Sequence, residues 1–417
     1  MQLSKQQKQV VLLTGSTIFG TLLGILNSVL NTRYLAPELF GDVRYVQNII
    51  AFVSSLLLFG YFTSGSRLLA ISRNEQYNRK IRGIMCVILA ITIGIVMLTM
   101  VLMYFYTGLN DTDSTTLVLF LVAIPFCGSN LMLNYVNTTA QGDNHIGRIA
   151  IARLVPSTLY FIIAFFIYKF YGATPVKMLL LFNGSSFIVL LLIIISTKPS
   201  FDNLKESFAL LREENRQYGF NVYLGALAGV STSHIAGITL GAFCENNANV
   251  GFYTLALNMA APLALLPSII GTTYFKRFAT DNKISNKIMY GSIVLTASSC
   301  LLFILLIKYV VMFLYNENYY SVATYSSWLV LGSCMHGFGD MFNRFLGAHG
   351  LGKQIRNAAF ACGGVLVLGS VVLVYFFNIY GAIATKLLSA FIYLFMMVFY
   401  YVRFVEQERN SHDSVVG

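Results

Sequence analysis

Charge is what this sequence has least of. Asp, Glu, Lys and Arg make up 11% of its 417 residues and hydrophobic side chains 56%, too little polar surface to cover the two or three soluble domains that such a length suggests. Other absences narrow the chemistry. The six cysteines (Cys86, Cys127, Cys244, Cys300, Cys334 and Cys362) lie in or beside apolar stretches with no paired spacing, which argues for packing residues over disulfides or metal ligands. The five histidines are scattered, and no general acid/base pair, Gly-rich phosphate loop or metal-ligand spacing can be assembled. The expectation is a non-enzyme without a cofactor or nucleotide site. A cleavable signal is not expected either, because MQLSKQQKQ leads straight into a stretch too long for a signal-peptide core.

What the sequence has in abundance is long apolar runs. Gly83 to Tyr106 (GIMCVILAITIGIVMLTMVLMYFY) and Thr116 to Val136 exceed the roughly 20 residues that cross about 30 Å of hydrocarbon. Twelve spans can be marked: 10–33, 44–70, 84–106, 115–138, 149–170, 176–196, 219–243, 251–275, 288–314, 323–348, 358–378 and 381–402. Long continuous runs predict helices, whereas a barrel is written as short alternating strands, and backbone in lipid must satisfy its own hydrogen bonds. The expected fold class is an all-α integral membrane protein of about twelve transmembrane helices.

Basic residues orient it. Of the 28 Lys and Arg, 19 fall in the segments on the side of the N-terminus and none in the six opposite loops. By the positive-inside rule both termini are expected in the cytoplasm, and the net charge of +11 is a topology signal, not a nucleic-acid footprint.

Two stretches are nearly the same. YGATPVKMLL (Tyr171 to Leu180) and YGAIATKLLS (Tyr380 to Ser389) each stand at the last span of a six-helix set, with Lys177 and Lys386 at the same place. AQGDNHIGRIA (Ala140 to Ala150) aligns with AHGLGKQIRNA (Ala348 to Ala358), and GDVRYVQN (Gly41 to Asn48) with GFYTLALN (Gly251 to Asn258). An even number of spans per half makes the halves a parallel repeat, the plan of transporters with a site between two lobes. The expected organisation is a six-helix lobe over 1–196, a connection over 197–218, a second lobe over 219–402 and a tail over 403–417. In the connection, Phe201, Leu204, Phe208 and Leu211 recur at helical spacing, which predicts an amphipathic helix on the cytoplasmic surface.

YLAPELFGDVRYVQNI, NVGFYTLALNM (Asn249 to Met259), FLYNENYYSVATYSSWLVLG (Phe313 to Gly332), LGAHGLGKQIRNAA (Leu346 to Ala359) and YGAIATKLLSAFIY (Tyr380 to Tyr393) follow one another in an order that resembles the Wzx-type polysaccharide flippases of the multidrug/oligosaccharidyl-lipid/polysaccharide exporter superfamily. The resemblance runs over essentially the whole chain. It implies a substrate built of a short oligosaccharide on a polyprenyl diphosphate, moved to the outer leaflet of a bacterial inner membrane for O-antigen or capsule assembly. It implies as partners the lipid-linked glycan, membrane lipids, a polysaccharide polymerase and chain-length proteins, with no nucleic acid. Coupling to H+ or Na+ is left open.

A diphosphate and a glycan need a polar, net positive cavity. On the first helix Thr17, Gly20, Thr21, Gly24, Asn27, Ser28 and Asn31 share one face, which is expected either to pack tightly or to wall a cavity. Asn258 is placed with Asn27 and Asn31 as an alternative polar contact. Nine basic residues lie inside the spans. Arg33, Arg44, Lys169, Lys177, Lys308 and Lys386 stand near outer ends, where long side chains snorkel; Lys177 and Lys386 are singled out because the repeat places them symmetrically, at an outward-facing mouth. Arg67, Arg153 and Arg344 stand about one turn inside the opposite ends and are the expected diphosphate receptor. Asp340, the single acid within a span, stands four residues before Arg344, so the two are expected to pair.

Three rivals fit less well. A drug exporter of the same superfamily is expected to carry an acid in its first helices, and spans one to six have none. A polymerising membrane enzyme is expected to carry a large outer loop with catalytic charges, and a major-facilitator carrier a Gly/Asp/Arg pattern that SRNEQYNRKIRG lacks.

Overall fold

The computed structural model describes residues 5–72, 74–110, 115–220, 222–224, 227 and 234–416, and among these it contains helices and no strand. The chain falls into two compact units, Met1–His234 and Ile235–Gly417.

In the first unit α1 (Lys5–Tyr34), α4 (Glu75–Asn110), α7 (Ile146–Tyr171) and α8 (Pro175–Ser196) run unbroken. The second and fourth spans are each made of two pieces, α2 (Pro37–Leu56) with α3 (Tyr61–Ile71) and α5 (Thr115–Ala123) with α6 (Ser129–Gly142). Local chemistry sets the ends. Thr174 caps α8, its hydroxyl accepting the Lys177 amide at 3.2 Å, and Pro175 follows at a position where its missing N–H costs nothing. The α5/α6 interruption is a tight turn at Ile124–Phe126, where Pro125 has no amide to continue a helix.

The α2/α3 interruption bends the chain by 58°. Phe59 and Gly60 turn it with φ of 44° and 80°. A side chain at Gly60 would stand 2.4 Å from the backbone of Gly219, so glycine is demanded by both conformation and space. The bend is held from outside by the connection. Its helix α9 (Leu204–Glu214) continues into a wide turn, Asn215–Gly219, and there Asn215 donates to the Phe59 carbonyl at 3.1 Å and accepts from the Ser64 hydroxyl at 3.1 Å. Leu211 is fully buried and Phe208 stacks on Tyr61, whereas Phe201 stays 56% exposed, so only part of the expected apolar stripe is used. These contacts, and Tyr223 donating to the Leu56 carbonyl, tie the connection to the first unit, which runs to His234.

Arg82 ties the ends of three helices together. It is 4% exposed and donates to Glu75, to Asp143 and to the Thr197 carbonyl, with Arg148 on the other oxygen of Asp143. A charge this buried is tolerated because both Nη atoms of the guanidinium meet acceptors, two of them carboxylates.

The second unit contains α10 (Ile235–Phe243), α11 (Ala248–Thr273), the short α12 (Phe275–Phe278), α13 (Asn286–Leu314), α14 (Ser321–Ala348) and α15 (Gly352–Val416). The α14 helix packs against α11 and α15. Close approach is possible because Gly337 lies where a Cβ would come within 2.4 Å of the Ala264 carbonyl. At one end Phe278, Phe342, Phe345 and Leu346 form an apolar core with Tyr401 beside it. α15 carries the eleventh and twelfth spans, divided at Asn378 (φ 49°, ψ −128°).

Each of the twelve expected spans falls on helix, although residues 221, 225–226 and 228–233 of the seventh lie outside the described residues. Among the described residues seven helices are long and apolar enough to cross a membrane, and the bent pair α2/α3 qualifies jointly. The chain is a multi-pass membrane protein. α1 and α14, 30 and 28 residues long, fall outside that set; both carry rows of polar side chains.

The Gly219 contact gives a direct check on the bend. A Cβ there would stand 1.9 Å from the Ser64 hydroxyl, whereas at Gly94 in α4 it would meet nothing within 4 Å. Gly219→Ala is expected to cost about 1–3 kcal/mol by overpacking, and Gly94→Ala to be neutral or stabilising by up to about 1 kcal/mol; thermal unfolding in detergent reads both.

Candidate functional site

The polar face of α1 divides in two. Its second half is packing. Asn27 is 4% exposed and donates to the Ser157 carbonyl of α7 at 3.3 Å, and Asn31, 1% exposed, accepts from the hydroxyls of Tyr160 and Tyr168. These amides lock α1 to α7 and do not wall the cavity, because α7 takes them up, Asn31 through two tyrosines and Asn27 through a backbone carbonyl. The first half does wall one. Ser16, Thr17, Gly20 and Thr21 border a cavity of about 370 Å³ within the first unit, a volume in the range of small-molecule sites.

Three neighbouring helices complete the cavity. α6 begins in mid-span, so its first residues Ser129 and Asn130 reach the cavity; α7 passes with Pro156 inside it, contributing Arg153 and Ser157; α8 contributes Ser186. Several hydroxyls spend their proton on their own helix, Thr21 on the Thr17 carbonyl at 3.0 Å and Ser186 on the Phe182 carbonyl at 2.9 Å. Their oxygens remain able to accept from a ligand hydroxyl. Among the described residues Arg153 is the one cation on this wall, half-buried, with Nη1 donating to the Thr17 hydroxyl at 3.1 Å. Among the described residues it makes no ion pair with a carboxylate. The arrangement can hold an anion and a hydroxylated ligand together.

Of the three arginines expected to act together, only Arg153 lines this cavity. Arg67 is 48% exposed on α3, pairs with Glu214 of the connection and lies over the Tyr218 ring at 4.9 Å, so it fastens α9 to the bend. Arg344 is exposed on α14, its stem against Gly271 of α11. The expected Asp340–Arg344 pair is not formed. Asp340 instead accepts from the Tyr393 hydroxyl at 3.0 Å, and Asn343 donates to the same hydroxyl at 2.9 Å. Asn258 is exposed on α11 and reaches no cavity described above.

The two repeat lysines have different surroundings. Lys177 is the third residue of α8, and its ammonium caps the end of α7 through the carbonyls of Tyr171 (2.6 Å) and Gly172 (2.9 Å). In the second unit the break comes at Asn378, eight residues before Lys386, which puts this lysine about 12 Å along the helix from the break. There it enters a polar cluster between α14 and α15, within electrostatic range of Asp340, His336 and Cys362. The His336 ring stacks on Tyr393 with centroids 4.7 Å apart. His336 and Tyr393 were not among the expected residues, yet spacing marks both: His336 stands one helical turn before Asp340, and Tyr393 two turns after Lys386.

Comparison with known proteins adds the following. A family described as polysaccharide biosynthesis protein matches residues 7–280. No curated protein shows significant sequence similarity to the chain. Among solved structures, the fold is similar to that of the lipid II flippase MurJ in an inward closed conformation (TM-score 0.71, 15% identity, covering 95% of this chain and 89% of that one). It is also similar to an inward-facing multidrug resistance MATE family transporter of the MOP superfamily (TM-score 0.69, 13% identity, 96% and 99% covered). A third is the Vibrio cholerae MATE transporter VcmN (TM-score 0.55, 14% identity, 96% and 97% covered).

The cluster in the second unit balances one acid against one lysine, so neutralising either should cost more than neutralising both. Lys386→Met and Asp340→Asn are each expected to lose up to about 3 kcal/mol, and the double variant to recover at least half of the larger loss. Unfolding of the parental protein and the three variants in detergent measures it; additive losses would mean that the two charges do not depend on each other.

Proposed function

The chain belongs to the polysaccharide biosynthesis protein family, and from that premise we propose that it is a flippase for a polyprenyl-diphosphate-linked oligosaccharide. It moves the repeat unit from the cytoplasmic to the outer leaflet of a bacterial inner membrane by alternating access and without ATP, for O-antigen or capsule assembly. Both termini and the 197–218 connection face the cytoplasm. A polysaccharide polymerase and chain-length proteins receive the product.

One observation carries the reading: Arg153 faces a hydroxyl-lined cavity in a unit whose six expected spans contain no acid. A guanidinium left without a carboxylate in such a place holds phosphate oxygens with two parallel hydrogen bonds, more strongly than it would in water. The serine and threonine oxygens around it suit the hydroxyls of the first sugar. A drug exporter of the same fold suits the cavity less, since its wall offers a cation and no acid to a cationic drug. The basic residues, 19 of 28 on the side of the N-terminus, support the orientation. The likeness to MurJ supports the fold on which such a substrate is carried.

Arg153→Ala is expected to lower surface-glycan export by about 10- to 100-fold, the loss of one charge-assisted contact. Arg153→Lys should recover only part of it, and Arg67→Ala should affect the amount of folded protein more than the rate per molecule. The measurement is surface glycan restored to a strain deleted for this gene, divided by membrane protein level. Parental rates for Arg153→Ala at normal protein level would contradict the assignment.

A further inference from the structure

The second unit holds another cavity, larger than the first and opposite in design. It measures about 910 Å³ and lies between the end of α11, the short α12 and the start of α13. Its rim is basic. Arg277, Lys283 and Lys287 all border it, and the first turn of α13 has no acid to offset them. Arg277 is paired with Asp281 at 3.0 Å; among the described residues Lys283 and Lys287 have no carboxylate within ion-pair distance. From this rim the lining turns apolar along α13 and α11, through Ile288 and Leu295 on one and Ile270 on the other. The trough has room: a Cβ at Gly291 would meet nothing within 4 Å.

Lys287 and Leu295 are eight residues apart, about 12 Å along the helix. A free phosphate would use only the rim. An amphiphile whose anionic headgroup meets the lysines and whose chain follows Gly291 would use the whole trough. The outward face of α13 is lipid-like in character, with Tyr290 67%, Val294 66% and Leu301 60% exposed, so a membrane lipid has open access from the side. We infer that this cavity is a binding site for an anionic phospholipid of the leaflet on the basic side of the protein, held by Lys283 and Lys287 at the headgroup and by the Gly291–Leu295 trough at the acyl chain. The site is separate from the Arg153 cavity, and the inference does not depend on what that cavity carries.

Native mass spectrometry of the full-length protein, stripped of lipid and then given phosphatidylglycerol or phosphatidylcholine, tests it. The parental protein is expected to retain one phosphatidylglycerol with at least 10-fold preference over phosphatidylcholine. Lys283→Gln/Lys287→Gln should reduce that preference to less than 2-fold, and Gly291→Leu, which leaves both charges and fills the trough, should weaken retention of phosphatidylglycerol at least 5-fold. Both changes lie at exposed positions, and equal melting temperatures in phosphatidylcholine will verify folding; should one variant fail to fold, the other decides alone. Millimolar inorganic phosphate should not displace the lipid. Undiminished retention by the folded variants, or displacement by phosphate alone, would overturn the assignment.

Discussion

A polar group in the middle of a membrane has to find its partner inside the protein or face a cavity, and this requirement sorts several polar side chains among the described residues. Asn31 is spent on two tyrosines, Asn27 on a carbonyl of α7, Lys177 on the end of α7 and Arg82 on two acids and a carbonyl. The same requirement makes Arg153 informative. It has one hydroxyl as partner and a cavity in front of it. Among the described residues it takes one of its five possible hydrogen bonds from the protein, which leaves donors that a ligand can use.

Irregularity is what opens the cavity. Two of its walls come from such interruptions. The turn at Ile124–Phe126 brings Ser129 and Asn130 to the start of a helix at mid-span, and Pro156 cannot donate to the helix before it. The bend between α2 and α3 is a third irregularity, and its hold on the connection through Asn215 and Gly219 makes the connection part of the first unit.

Much of this was legible in the sequence, for a physical reason: lipid demands long apolar helices, and their lengths and the placement of basic residues are written in composition. The twelve spans and the polar face of α1 follow from that. The partners did not follow. Asp340 and Arg344 stand four apart on one helix, but the choice between Arg344 and Tyr393 is made by a residue 53 positions away on α15. Lys177 and Lys386 occupy equal places in the repeat, yet Lys177 is the third residue of its helix whereas Lys386 stands eight residues past the break at Asn378, and that difference decides whether an ammonium caps a helix end or enters a polar cluster. Gly60 and Gly219 carry no mark in the sequence that sets them apart from the other glycines, since what requires them is contact across 159 residues.

The central claim is that the Arg153 cavity holds a lipid-linked, phosphorylated glycan. Leu133 borders that cavity, whereas Leu121 is 51% exposed on α5 away from it. A photo-reactive amino acid placed at each position in turn, irradiated in living cells and followed by mass spectrometry of the adduct, is the most direct measurement. The account predicts a polyprenyl-diphosphate-linked glycan on residue 133 and ordinary phospholipid on residue 121; phospholipid alone at both positions would contradict it.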